Sequence, residues 1–472
     1  MRPNILFVIL DAARRDAFEP YGAPVGSTPT IAQLAARGRA VPEAYSTAPW
    51  TVPSHASFFT GLMPRALGLK EVPSPAAAKA LLETHRARFL PEVLRSHGYE
   101  TLGISANPWA SELSGFGTGF DSFSLVDTER QGRSHLTSLR GRARWLAEVA
   151  RGKPDDGARA AFDILSSRLE KRRERPFFCF LNLVEAHFPY LPPRPYGGLS
   201  ILDRLRAGED ARRYFQLDAV YQANGGALEV PEGTLERARR LHRGAVRYLD
   251  DWLGRVIEQL DAVRMLDDTL VIVCSDHGEN FGEGGLIAHM LSLDQRLIHV
   301  PFVLAGPGAS RIQLNSLAEL PRSLAEALDI TDNPWHDEFP RGFGLAQSDG
   351  LGESNDLRLI QALNEAGILD ERLRARFTSP LSCAVRGDLK LVRRDETEEV
   401  YDLSVDPLEL NPIVSRELDA TRGTELEQLR KALDDPVMTA TPAGAARAGT
   451  DSEASAEEIS DLEDRMRLLG YL

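Results

Sequence analysis

Four stretches of the chain hold side chains that could do chemistry together. Asp11 ends the apolar run Asn4–Leu10, Glu185-Ala-His187 follows Phe177–Val184, and Asp276-His277-Gly278 follows Thr269–Ser275. Two aspartates and an imidazole with no cysteine nearby are a donor set for Mn²⁺, Zn²⁺, Mg²⁺ or Ca²⁺, with at least one coordination position left open. The fourth stretch is Thr51-Val-Pro-Ser-His-Ala-Ser-Phe-Phe-Thr-Gly61. Proline favours the first turn of a helix and glycine the position just past its end, so Pro53 and Gly61 bracket a short helix starting at Thr51 or Val52. Free N–H groups at a helix start attract anions, which puts Thr51 where a phosphate or sulfate docks. Ser54, Ser57 and Thr60 read as scaffold hydroxyls within that helix.

The elements that must position these residues follow from the apolar pattern. The three runs ahead of Asp11, Glu185 and Asp276 are continuous rather than alternating, as in strands buried on both faces. Leu235–Leu260 has apolar residues at helical spacing. Buried strands separated by helices indicate an α/β fold. Ligands in open α/β sheets bind beyond the carboxyl ends of strands, so the three runs deliver their acidic and imidazole groups to one shared edge.

At 472 residues the chain exceeds the size at which one core keeps growing, and a large domain with a smaller appended one is expected. A net charge of −14 argues against a dedicated nucleic-acid binder, although a bound cation can reverse the field locally for a phosphate-bearing substrate. The basic stretches Arg133–Arg151 and Lys171–Arg175 read as solvated helix faces. Cys179, Cys274 and Cys383 are far apart and lie in or near apolar runs, which suits buried thiols in a reducing compartment rather than a disulfide scaffold. The N-terminal apolar run is short and ends in an acid, so neither a secretion signal nor a membrane span is expected, and a cytoplasmic location is.

The expected organisation is a catalytic α/β domain over 1–375, a small C-terminal subdomain over 376–433, a flexible linker over 434–455 and a terminal helix over 456–472. The linker assignment rests on a composition of Ala, Thr, Ser, Gly and acids. Residues 128–175 read as helices with a break at Lys153-Pro-Asp-Asp-Gly157, and 199–232 as a loop-rich insertion that could shape specificity. Lys390, in GDLKLV, reads as structural.

Taken in order, LDAARRD, TVPSHASFFTG, NLVEAHFPYLPP, SDHGENFGEGGLIAH, VPFVLAGPG, AVRGDLKLVRR and EVYDLSVDPLELNPI resemble the sulfatase branch of the alkaline phosphatase superfamily. The ending RLLGYL looks like the C-terminal helix of such proteins. The resemblance implies an alkaline-phosphatase-like (sulfatase) fold: a large, mixed, mostly parallel sheet between helices, with a smaller C-terminal α+β subdomain. It makes Asp11, Thr51, Asp276 and His277 ligands of one divalent metal ion and Thr51 the nucleophile. His187 and His289 match family positions that contact substrate oxygens or protonate the leaving group. Asn107, within SANPWASELSGFGTGFDSF, matches a region that supplies an amide donor to the transferred group. His55 stands in place of a family arginine and would orient the nucleophile loop.

Two departures from the family pattern sharpen the expectation. Family sulfatases begin this motif with a cysteine or serine that becomes formylglycine, within Cys-x-Pro-Ser-Arg. Thr51 has no route to that aldehyde, and superfamily members that use an unmodified threonine are phosphodiesterases and phosphotransferases. Ala12 stands where calcium-dependent sulfatases carry another aspartate, so Mn²⁺ or Zn²⁺ is favoured, with Ca²⁺ and Mg²⁺ still compatible. No motif matches a second zinc site. The sequence therefore leads to a metal-dependent hydrolase of a small anionic phosphate or phosphonate ester, phosphodiester favoured, acting through a covalent intermediate on Thr51. The alternatives are a sulfuric ester hydrolase working without formylglycine, a phosphoryl transferase, or a non-catalytic binding protein on this fold. No nucleic acid or membrane partner is expected, and a homo-oligomer is compatible with the sequence.

Overall fold

The computed structural model describes residues 2–69, 75–126, 155–171, 174–336, 338–350, 371–413 and 422–441, with a few single positions between them. The assigned terminal helix over 456–472 and most of 128–154 lie outside the described residues.

Thirteen strands are present among the described residues: β1 (Asn4–Leu10), β2 (Arg39–Ala40), β3 (Glu100–Ser105), β4 (Ser122–Leu125), β5 (Phe177–Leu183), β6 (Thr269–Cys274), β7 (Asn280–Phe281), β8 (Ile287–Ala288), β9 (Phe302–Ala305), β10 (Gly344–Ser348), β11 (Leu381–Arg386), β12 (Leu389–Arg394) and β13 (Thr397–Asp402). The large sheet has seven strands in the order β2-β9-β6-β1-β5-β3-β4. β1 runs parallel to both β5 and β6, and β9 runs antiparallel to its neighbours. This is the α/β arrangement that the continuous apolar runs predict, in the mixed, mostly parallel form that the resemblance implies.

The run in β1 is continuous because each face meets its own core. Ile5, Phe7 and Ile9 pack into one cluster with Val52, Phe58 and Phe59, while Leu6, Val8 and Leu10 pack into another with Leu249, Trp252 and Leu253. Each such side chain removed from water contributes about 1.5–3 kcal/mol. The second cluster is closed by the C-terminal part of the helix Glu232–Ala262, which buries Ala245, Leu249, Trp252, Val256 and Leu260 along one stripe, while Leu235, Ala238 and Leu241 of its first part pack with Tyr190 and Phe281.

The register of β1 does the positioning. Ile9 lies opposite Cys274 in β6, and two further steps along the parallel pair bring Asp11 level with Asp276. On the other side Ile9 lies opposite Asn182 of β5, and the Asp11 N–H donates to the Leu183 carbonyl at 2.9 Å. Gly278, after the ligand pair, has to be glycine: a Cβ there would stand 1.9 Å from the Arg296 carbonyl oxygen.

Three regions differ from the sequence reading. The insertion over 199–232 is helical rather than loop-rich, with helices Ile201–Tyr214 and Leu217–Asn224. Its pattern is hidden because Arg204 takes a core position at 1% exposure and donates to the carbonyls of Pro192, Pro193 and Tyr196. The four-stranded antiparallel sheet β10-β11-β12-β13 recruits β10 from ahead of residue 376. Residues 436–439, within the segment read as a linker, form a short helix whose Met438 is buried and whose Met438 carbonyl accepts from Gln347 Nε2 at 2.6 Å. Lys390 is structural as read: its Nζ is buried against Glu409 at 2.8 Å and the Leu293 carbonyl at 2.5 Å. Cys179, Cys274 and Cys383 are free and buried. Among the described residues no helix is long and apolar enough to cross a membrane.

Candidate active site at the carboxyl edge of the sheet

One oxygen or nitrogen from each of Asp11, Asp276 and His277 lies within 4.8 Å of the others, and all three residues are buried. His277 Nε2 is 3.8 Å from Asp11 Oδ1 and 3.4 Å from Asp276 Oδ2. The ring is set by its other nitrogen, since Nδ1–H donates to the Gly278 carbonyl at 3.0 Å and Nε2 is left bare toward the carboxylates. That is the tautomer and orientation of a metal-ligating imidazole.

The outer oxygens of the aspartates are tied down. Asp11 Oδ2 accepts from Asn107 Nδ2 at 2.8 Å and Asn182 Nδ2 at 3.4 Å, and Asp276 Oδ1 accepts from the N–H groups of Ala12 and His277. Asp11 Oδ1 and Asp276 Oδ2 have no hydrogen-bond partner. Two buried carboxylate oxygens without a hydrogen-bond partner, 3.8 and 3.4 Å from His277 Nε2, are an arrangement a divalent cation satisfies, so the residues fit such an ion. Without it, burial pushes Asp11 up to about 8, helped by the Asp276 charge, and pushes Asp276 up to about 7.

Thr51 begins the helix Thr51–Thr60, which Gly61 ends in the left-handed conformation at φ 73°. Every residue of that helix is buried. Trp50 supplies no side-chain cap, which leaves first-turn N–H groups for an anion. Thr51 Oγ1 lies 3.4 Å from His277 Nε2, so the predicted nucleophile borders the cation cluster. Ser54 Oγ donates to the Asp276 carbonyl at 2.8 Å and Thr60 Oγ1 to the Ala56 carbonyl at 2.6 Å. Both are scaffold.

His55 sits one turn on. Its Nδ1–H donates to the Thr51 carbonyl at 2.9 Å, and its Nε2 accepts from Asn182 Nδ2 at 2.8 Å. Burial lowers it to about 3, so it is a neutral strut between β5 and the helix start. Asn107 is engaged at both ends, donating to Asp11 and accepting from the Trp109 N–H at 2.9 Å. In this geometry it orients a carboxylate.

His187 and His289 form a second layer. The His289 ring lies 4.4 Å from that of His277 and 4.8 Å from that of His187, centroid to centroid. His187 Nδ1–H donates to the Phe188 carbonyl at 2.9 Å. Burial holds both well below the usual histidine range, with His289 adding to the effect on His187 and His277 to that on His289. Glu185, read with His187 as part of the shared edge, is elsewhere: its Oε1 accepts from the Ala158 N–H at 2.7 Å, at the start of the helix Ala158–Leu169.

Asn182 and Glu279 escaped the sequence reading. Asn182 is the one amide in the otherwise apolar Phe177–Val184 run, and a polar residue in a strand buried on both faces was the available signal. Glu279 lies two residues past His277, its carboxyl oxygens 3.2 and 3.4 Å from His289 Nδ1. Burial pushes Glu279 up to about 8.

A family model described as Sulfatase matches residues 3–330. Choline-sulfatase of Rhizobium meliloti (strain 1021) is 26% identical over 449 residues, covering 87% of this chain and 82% of the relative. The multifunctional alkaline phosphatase superfamily protein PehA of Trinickia caryophylli is 22% identical over 384 residues, covering 70% of this chain and 72% of the relative. Among solved structures, the phosphonate monoester hydrolase of Agrobacterium radiobacter superposes with a TM-score of 0.65 at 20% identity, covering 92% of this chain and 96% of the other.

Proposed function

The chain belongs to the sulfatase family, and from that premise we propose that it is a cation-dependent hydrolase of a phosphate or phosphonate ester, phosphodiester favoured, working through a covalent intermediate on Thr51. The observation that carries this reading is a threonine at the first position of a buried helix, its hydroxyl 3.4 Å from His277 Nε2. A threonine cannot become the aldehyde on which formylglycine sulfatases depend. The likeness in fold to a phosphonate monoester hydrolase agrees with phosphorus chemistry.

Asp11, Asp276, His277 and Thr51 would hold the cation, with Mn²⁺ or Zn²⁺ favoured; when bound it supplies the positive charge that stabilises the deprotonated hydroxyl and the anionic ester oxygens. The protein's own groups do the rest. The Thr51 carbonyl, fixed by His55, keeps the first turn in place so that Oγ1 stays beside His277. Oγ1 attacks phosphorus in line, the bond to the leaving oxygen breaks, and first-turn N–H groups face the equatorial oxygens. The proton given up by Oγ1 passes to one of the neutral imidazoles, His187 or His289, which contact ester oxygens and deliver that proton to the leaving alcohol. Water, or an acceptor alcohol, then takes the phosphoryl group from Thr51. The three buried free thiols support a cytoplasmic setting.

A second reading, sulfate-ester hydrolysis without formylglycine, is favoured by the 26% identity to a choline-sulfatase over 87% of the chain. Turnover of aryl phosphodiesters, phosphonates, phosphate monoesters and sulfates with Mn²⁺, Zn²⁺ or Ca²⁺ decides between them. Preference for sulfate over every phosphorus ester sinks the first reading, and unchanged turnover in Thr51→Ala removes Thr51 as nucleophile.

A further inference from the structure

The hairpin that follows the cation cluster places one more side chain in the reaction zone. Strands β7 and β8 pair Asn280 with Ala288 and Phe281 with Ile287. One step outward from the Asn280–Ala288 pair, the same antiparallel register sets Glu279 opposite His289 at the open end of the hairpin. The backbone supports this placement: Ala288 and Leu291, on either side of His289, hold φ values of 62° and 71°, conformations that non-glycine residues adopt only where their surroundings enforce them. Glu279 is fully buried, and its oxygens lie 3.2 and 3.4 Å from Nδ1 of His289. The same ring packs against His277 and His187, with centroids at 4.4 and 4.8 Å.

We infer that Glu279 is a positioning residue for the reaction: its carboxyl group holds Nδ1 of His289 and thereby turns Nε2 toward the ester's leaving oxygen. This rests on the assignment of His289 to the leaving group made above. A buried carboxyl with no role in orientation would be a cost to folding with no return, since an unpaired carboxylate in such a place is destabilising. Here its hydrogen-bonding capacity is directed at the Tyr190 hydroxyl and at the His289 ring, which also packs on the metal-site histidine. A carboxylate that holds the far nitrogen of a working imidazole fixes both its orientation and its proton position.

The test is a double-mutant cycle on the full-length, Mn²⁺-loaded protein, with Glu279→Ala, His289→Ala and the pair, using the aryl ester the wild type turns over fastest and a second one with a less acidic leaving group. Glu279→Ala is expected to lower kcat by about 10–100-fold, the range for lost outer-shell support, with little change in KM and a larger loss on the less acidic leaving group. In the His289→Ala background the same change is expected to cost nothing further. Glu279→Gln, which keeps an acceptor for Nδ1–H, should retain more activity than Glu279→Ala. Should Glu279→Ala not fold, Glu279→Met fills the space without an acceptor and takes its place in the cycle. Multiplicative losses, equal losses on both leaving groups, or wild-type kcat in either single variant would overturn the proposal. A preference for sulfate esters would sink the phosphoryl reading and leave the coupling between Glu279 and His289 standing, because the cycle is read on whichever ester is turned over.

Discussion

The hydroxyl of Thr51 lies 3.4 Å from Nε2 of His277, the same nitrogen that stands 3.4 Å from Asp276 Oδ2 and 3.8 Å from Asp11 Oδ1. A residue that only capped its helix would have no reason to face the open side of a ligand cluster. Removing the hydroxyl while keeping the shape therefore separates chemistry from scaffold. Thr51→Val is expected to lower kcat by at least about 10³-fold, the scale on which nucleophile removal is felt, while thermal stability stays close to wild type. Thr51→Ser is expected to retain turnover because it keeps the oxygen. Steady-state kinetics of the three proteins, with melting temperatures alongside, check this.

Asn107 offers a second separation. Its Nδ2 donates to Asp11 Oδ2 at 2.8 Å inside a fully buried site, so its loss frees Asp11 to rotate without touching the open coordination position. Asn107→Ala is expected to weaken Mn²⁺ binding by about 10–100-fold, and activity should return at saturating metal. Metal titration by calorimetry reads the affinity. Loss of activity that saturating Mn²⁺ does not restore would instead place Asn107 against the substrate.

The part of this site visible in the sequence and the part that was not divide along physical lines. Asp11, Asp276 and His277 were legible because each follows a strand buried on both faces, and such strands announce themselves as unbroken apolar runs. The Thr51 helix was legible because Pro53 and Gly61 punctuate it. Asn182 was not, because its two bonds, to His55 and Asp11, depend on the lateral register of β5 against β1, and one chain read in order carries no register. Glu279 was missed for a related reason: its opposition to His289 exists only once β7 and β8 pair. The helices over 201–224 were hidden by Arg204, a charged residue in a core position whose two terminal guanidinium nitrogens donate to backbone carbonyls that sequence cannot place.

Cation removal tests the two unpartnered oxygens. With Asp11 Oδ1 and Asp276 Oδ2 unpartnered in one buried ligand cluster, the folded state without an ion must protonate one of the carboxyls or bear their repulsion. A chelator is therefore expected to lower the melting temperature, and readdition of Mn²⁺ or Zn²⁺ to raise it with concentration, the unfolding free energy rising by about 2.7 kcal/mol at one hundred times the dissociation constant. Asp276→Asn should abolish most of that dependence. A melting curve indifferent to chelator and to added metal would rule the cluster out as a cation site.

His242 gives the pH dependence of the fold a definite sign. Its ring is buried and its Nε2–H donates to the Ala12 carbonyl at 3.0 Å, at a residue held at φ 58° beside the ligand Asp11. Burial lowers His242 to about 4, below the value near 6.5 of an unfolded chain. Between those two values the unfolded state binds the proton that the folded state refuses, so this stabilisation is complete above about pH 6.5 and is lost as pH falls toward 4. His242→Gln keeps a donor for the Ala12 carbonyl and cannot titrate. The stability difference between wild type and variant is therefore expected to be constant above pH 6.5, and to shift against the wild type by about 1.4 kcal/mol per pH unit below it. Denaturant unfolding of both proteins at pH 5, 6, 7 and 8 measures the shift. A difference that stays flat across this range would mean that His242 accepts its proton within the fold, and that the Ala12 turn does not depend on a neutral ring.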